Sequence, residues 1–254
     1  MSDEERNALW SAADDYNRRL FEFYCGGSVT EEELMADYPT LLNIYGDGMM
    51  GHIHIPRLNI SIPIMHTTSE SVLQNAVGHL ETSSLPVGGE NTHCVLSGHT
   101  GLPSARLFTD LEQMVIGDLF TIEVLGVKMS YQVDQILIVL PWETEALEIS
   151  AGADYCTLIT CTPYGVNSHR ILVRGIRIGT AYSETSNAQS IEIEDDQDIT
   201  REEQVWWLRD KLLPVYVAAG SVALLTALLI IASAVRRAKK KKALSEDINK
   251  LDKE

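Results

Sequence analysis

"TLITCTPYGVNSHR", residues 157–170, is the stretch on which the reading of this chain turns. An apolar, β-rich run ends on Cys161. Thr162-Pro163 then stops strand pairing, because proline has no backbone donor to give a ladder. A short turn-rich segment follows, and the chain resumes at Arg170. If 155–161 and 169–178 are neighbouring antiparallel strands, the loop 162–168 sets Cys161 beside Arg170. Two readings remain open: a buried thiol with a surface cation, or a nucleophile with the cation that steadies its oxyanion.

Around this stretch the texture is β. "HIHIPRL" and "ISIPIM" alternate and carry prolines, which suits the rims of a barrel. "SESVLQNAVGHL" reads as a helical turn or two with Ser69 as N-cap. "NTHCVLSGHTG" is a strand running into a glycine-bounded loop, and "GDLFTIEVLGVKMSYQVDQILIVLP" is a hairpin turning near Gly126. Many short strands with few helices make an all-β barrel or sandwich with helical decoration. Before it, residues 1–24 read as an amphipathic helix with Leu9, Ala13, Tyr16, Leu20 and Tyr24 on one face, and "TEEELMADYPTLLN" as a second short helix.

The formal charge of −16 leaves no broad basic surface, which excludes a nucleic-acid binder. That charge is uneven. Residues 181–205 are acidic and read as a solvated linker, whereas "RRAKKKK", residues 236–242, is almost purely basic. Between them "VYVAAGSVALLTALLIIASAV", residues 215–235, holds no charged residue. At about 1.5 Å per residue such a helix spans a roughly 30 Å hydrocarbon core. Trp206, Trp207 and Tyr216 supply an interfacial belt, and the basic run behind puts the C-terminus in the cytoplasm and everything before Trp206 outside. The expected organisation is a helical region 1–48, a β domain 49–180, the linker 181–205, an interfacial segment and transmembrane helix 206–235, and a cytoplasmic tail 236–254. The opening "MSDEERNALWSAADDYNRRL" is no signal peptide, so either an export segment precedes Met1, which is the favoured expectation, or translocation depends on the C-terminal anchor.

Among four cysteines no pair has C-x-x-C spacing, which argues against a zinc ribbon or a thioredoxin-type centre. Cys161 is set apart by its place at a strand end, where a side chain can face a cleft. Cysteine chemistry on an amide also needs a proton donor to the leaving amine. Of seven histidines, His99 stands out because "SGHTGLP" sets it between glycines after an apolar strand. His169 competes by adjacency to Arg170, but neighbours on a strand point to opposite faces, so the two cannot share a cleft.

At these residues the sequence resembles the sortases, cysteine transpeptidases of Gram-positive bacterial surfaces. "TLITC" matches their T-L-x-T-C motif, and "TCTPYGVNSHR" is similar to the pilin-polymerising class C form. "GDGMMGHIHIPRL", "VGHLETSSLPVGG" and "SGHTGLPSARLFTDLEQMVIGDLF" match class C blocks in order. The resemblance implies an eight-stranded β-barrel with no cofactor and maps His99, Cys161 and Arg170 onto the family's catalytic trio. It implies cleavage of an LPxTG-type sorting signal between Thr and Gly, and transfer of the acyl group to a lysine amine of a pilin subunit. Pilins or surface proteins carrying such signals are the implied partners, with the membrane engaged through the C-terminal helix. The alternatives are a housekeeping-type sortase joining proteins to cell-wall peptide, a non-catalytic membrane-tethered adhesin or scaffold, and a plain cysteine protease.

Two further expectations follow from the resemblance. Class C members usually carry an Asp-Pro-aromatic lid, and no such triplet occurs here. Residues 25–38 are expected to cover the cleft loosely in its place. Strands leading to the His and Cys are parallel neighbours in such barrels. Cys94 and Cys156 each precede those residues by five positions, so they are expected level with one another, either as two reduced core thiols or as a cross-strand disulfide.

Overall fold

The computed structural model describes residues 1–102 and 105–182, without the side chains of the last two. The linker, transmembrane and tail readings beyond 182 lie outside the described residues. Among the described residues no helix is long and apolar enough to cross a membrane.

Two helices precede the sheet. Helix α1 (Asp3–Tyr24) and helix α2 (Glu31–Asp37) both open on a capping box, Ser2 with Glu5 and Thr30 with Glu33. Eight strands follow: β1 (Met49–Ile55), β2 (Ile60–His66), β3 (Val77–His79), β4 (Thr92–Ser97), β5 (Leu119–Val124), β6 (Val127–Val139), β7 (Asp154–Thr162) and β8 (His169–Tyr182). They close in the order β1-β2-β3-β4-β7-β8-β6-β5. Closure removes the exposed edges of so many short strands. The β5–β6 hairpin turns at Leu125 and Gly126, both at positive φ, which matches the twist of the strands it joins. Inside, Phe120 and Tyr131 stack at 5.5 Å, and a Cβ at Gly175 would meet the Phe120 ring at 2.6 Å. A side chain there has no room.

The helical reading of 69–80 is corrected in part. Helix α3 spans only Glu70–Leu73, and the segment then becomes strand β3, pairing with β2 and β4. Ser69 holds the N-cap position, but its hydroxyl bonds Thr67 and Ser71 side chains rather than the helix backbone.

The N-terminal segment packs against the barrel through Asn17 and Tyr38. Ala13, Tyr16, Asn17 and Leu20 of α1 are buried. Asn17 replaces Leu9 and Tyr24 on the inner face because its amide exchanges two hydrogen bonds with the backbone of Leu85, at 3.1 and 2.6 Å. Tyr24, half exposed, donates to the Thr82 carbonyl. Arg19 on α1 binds Asp37 at 2.6 Å. Tyr38 closes the segment over His79 at 3.0 Å.

Cys94 and Cys156 are direct register partners on parallel strands β4 and β7. Both are buried and both are free thiols, so the reduced alternative is the one seen. Burial opposes ionisation of either group. Beside Cys156 and His79 the pKa of the Cys94 thiol is lowered despite that burial, while burial and its neighbour push Cys156 well up. In the folded protein a thiol-alkylating reagent is expected to modify Cys25 and Cys161 alone. Unfolding without reductant then exposes all four thiols, where a disulfide would leave two. Intact-mass spectrometry reads the difference.

Candidate active site

Strand β7 delivers Cys161 and strand β8 delivers Arg170, and the two are register partners in an antiparallel pair. Directly opposed residues of such a pair point to the same face. Thr160, Thr162 and Ile171 alternate inward and are buried, so Cys161 and Arg170 share the outer face and are half-buried. The connection includes Asn167 at φ 58° and Gly165 at φ 74°. Arg170 Nη1 donates to the carbonyls of His169 at 3.0 Å and Asn167 at 3.3 Å. Among the described residues it meets no carboxylate, so the guanidinium is held by neutral acceptors and keeps its charge for an incoming group.

His99 follows β4, the parallel neighbour of β7 on its other side. The end of β4 is stitched to the strand of the cysteine: the Gly98 amide donates to Ile159 O at 3.0 Å, and Thr160 Oγ1 donates to Gly98 O at 2.7 Å. Beyond His99, Phe108 N bonds back to the His99 carbonyl, and Gly101 N bonds Thr109 Oγ1. Thr162, next to the cysteine, donates to Glu112 in the 3-10 turn Leu111–Gln113. These bonds anchor the backbone on both sides of His99 and of Cys161.

The structure thus places Cys161 and Arg170 directly opposite one another and His99 one residue past the bonds that tie its strand to β7. His169 pairs with Thr162 instead, and its Nδ1 lies 2.9 Å from Ser168 Oγ. Among the described residues no hydrogen bond or ion pair joins residues 25–38 to the trio; Ser28 and Asp37 bind α1, and Tyr38 binds Thr67 and His79. His79 pairs with Leu96, three residues before His99, so this segment braces the wall below the site.

Two neighbours of the site carried no role in the sequence reading. Glu70 Oε2 lies 3.5 Å from His99 Nε2. Tyr164, inside the quoted stretch itself, packs its ring on Gly101, where an added Cβ would stand 3.0 Å from it. The only advance signal for the latter was an aromatic residue in a turn three positions past the cysteine.

The Sortase domain family matches residues 53–178. Among solved structures, sortase C1 from Streptococcus agalactiae is 46% identical, with 70% of this chain and 92% of that chain covered, at a TM-score of 0.66. Sortase C of Streptococcus pneumoniae is 43% identical, with 71% and 92% covered, at a TM-score of 0.64. A more distant relative is Sortase A of Bacillus anthracis, 26% identical over 166 residues, 65% of this chain and 76% of that protein. Identity above 40% across nearly the whole of two sortase C structures, with the eight-stranded closed barrel already on the page, places the chain in the class C branch of the sortase family of cysteine transpeptidases.

Proposed function

We propose that the chain joins pilin subunits, with Cys161 as nucleophile, Arg170 as oxyanion donor and His99 as proton carrier. The observation that carries this is the register pairing of Cys161 with Arg170, next to a β4 end bonded to β7 at Ile159 and Thr160. The Cys161 thiolate attacks the Thr carbonyl of an LPxTG-type signal. Arg170 meets the negative charge that develops on the oxygen, where a fixed cation counts most. His99, as imidazolium, gives its proton to the departing Gly amine, and a thioester remains. A lysine amine then attacks the thioester carbonyl, the C–S bond breaks, and the proton returns to His99. The product is an isopeptide bond, and the enzyme is restored.

The membrane reading belongs with this function. Residues 215–235 anchor the enzyme, the basic run holds the C-terminus in the cytoplasm, and the barrel works outside, where pilins emerge. The test is direct. A sorting-signal peptide alone should give a thioester adduct on Cys161, detected by intact mass. Adding a peptide with a free lysine should discharge it to an isopeptide-linked product. Release of the peptide only as free acid, whatever amine is present, would make the protein a hydrolase.

A further inference from the structure

In the first half of the proposed reaction His99 protonates an amine as it leaves. By microscopic reversibility the acceptor amine of the second half arrives along the same side, next to His99. Side chains that flank His99 therefore line the entry of the acceptor. Two stand there. Glu70, first residue of α3, aims Oε2 at His99 Nε2 from 3.5 Å, while its Oε1 accepts from Gln74 Nε2. The carboxylate is thus oriented from both ends. On the same His99 loop, two residues on, Gly101 carries the Tyr164 ring. A Cβ at Gly101 would stand 3.0 Å from Cε2 and 3.4 Å from Cζ, so the bare backbone at φ 76° is what lets the ring lie there. Tyr164 is nevertheless 65% exposed. An aromatic ring held by its edge on a backbone, with most of its surface in water, is a wall awaiting an occupant.

We propose that Tyr164 and Glu70 form the receiving site for the acceptor lysine. This deepens the transpeptidase reading and rests on it. The ring takes the lysine's methylene stem and attracts its ammonium through the π-face. Glu70 supplies the opposite charge beside His99. The ammonium gives one proton to solvent and becomes nucleophilic. The neutral amine attacks the thioester carbon, and His99 accepts the second proton as Cys161 leaves as thiolate. Tyr164 and Glu70 hold the acceptor and make no bond to the reacting carbon.

The experiment is steady-state transfer from a sorting-signal peptide to a lysine-containing peptide, varying the acceptor concentration. Release of the glycine-side product is followed separately as the measure of acylation. Tyr164→Ala should raise the acceptor KM about fivefold, more than it changes acylation, and Glu70→Gln about threefold, the size expected of an exposed aromatic contact and an exposed ion pair. Tyr164→Phe should stay within about twofold of the parent. Hydroxylamine, neutral and without a stem, should show no such rise with Tyr164→Ala. An equal loss with lysine and hydroxylamine, or an equal loss in acylation and transfer, would overturn the proposal and assign the ring to the sorting signal. An unchanged acceptor KM would overturn it outright. If the parent enzyme forms the thioester yet never transfers it to lysine, the transpeptidase reading itself fails, a different result from any of these.

Discussion

Cys161→Ala forms no thioester with a sorting-signal peptide, and His99→Ala comes close to the same silence. Arg170→Ala keeps the thiol but loses at least about a hundredfold in turnover, the usual scale for removal of one oxyanion donor. The structural basis differs for each. Cys161 sits on the outer face of β7, opposite Arg170, and Cys156 cannot replace it because an odd offset turns Cys156 into the barrel core. Arg170 is held by two backbone carbonyls and carries no carboxylate partner among the described residues, so its removal strands no buried charge. The loss should therefore fall on turnover rather than on folding. Arg170→Lys should recover little, since a lysine lacks the planar fork of donors. His169→Ala should be mild, because that ring pairs with Ser168 rather than the cleft. Thioester capture by mass spectrometry on each variant, with circular dichroism as the fold control, reads these outcomes. Full activity in His99→Ala would remove the histidine from the mechanism.

The pairing of Cys161 with Arg170 was legible because it is local: an apolar run, a proline stop, a short loop and a second apolar run determine one register. The hairpin at Gly126 was legible for the same reason. The level placement of Cys94 and Cys156 was not local. It needed the parallel adjacency of β4 and β7, strands some sixty residues apart, and only the likeness to a known barrel supplied that. Strand β3 escaped notice because three residues carry no period, and their burial comes from both neighbours at once. The face of α1 was read nearly correctly, yet periodicity says which side is buried and not against what. Asn17, polar and bonded twice to the Leu85 backbone, is invisible to a hydrophobic pattern. Polar partners are equally invisible for residues 25–38: the pattern shows a short helix and not the bonds of Tyr38 to His79 and Thr67 at the β2–β3 wall.

Tyr38→Ala separates those two roles. The ring is 2% exposed, stacks on His79 at 5.6 Å and meets His66 edge-on at 5.0 Å. His79 Nε2 lies 2.9 Å from the Ser84 carbonyl, which can only accept, so the ring proton is on Nε2 and Nδ1 accepts from the Tyr38 hydroxyl. That hydroxyl in turn accepts from the Thr67 amide at 3.2 Å. Burial pushes the phenol's pKa up, and it stays a neutral donor. Truncation to alanine removes a large buried ring and leaves a part-buried amide and a buried imidazole nitrogen unpaired. A loss of about 3–5 kcal/mol in unfolding free energy is expected, and Tyr38→Phe should lose about 1–3 kcal/mol for the hydrogen bonds alone. Urea titration measures both. The site supplies the discriminating readout. Where both proteins are fully folded, Cys161 in Tyr38→Ala should react with a thiol reagent within about twofold of the parent rate, because the hydrogen bonds of Tyr38 run to Thr67 and His79 and not to the cysteine. Labelling that rises tenfold without unfolding would mean that residues 25–38 do shield the cleft, and that Tyr38 is the clasp of a lid rather than a brace of the wall.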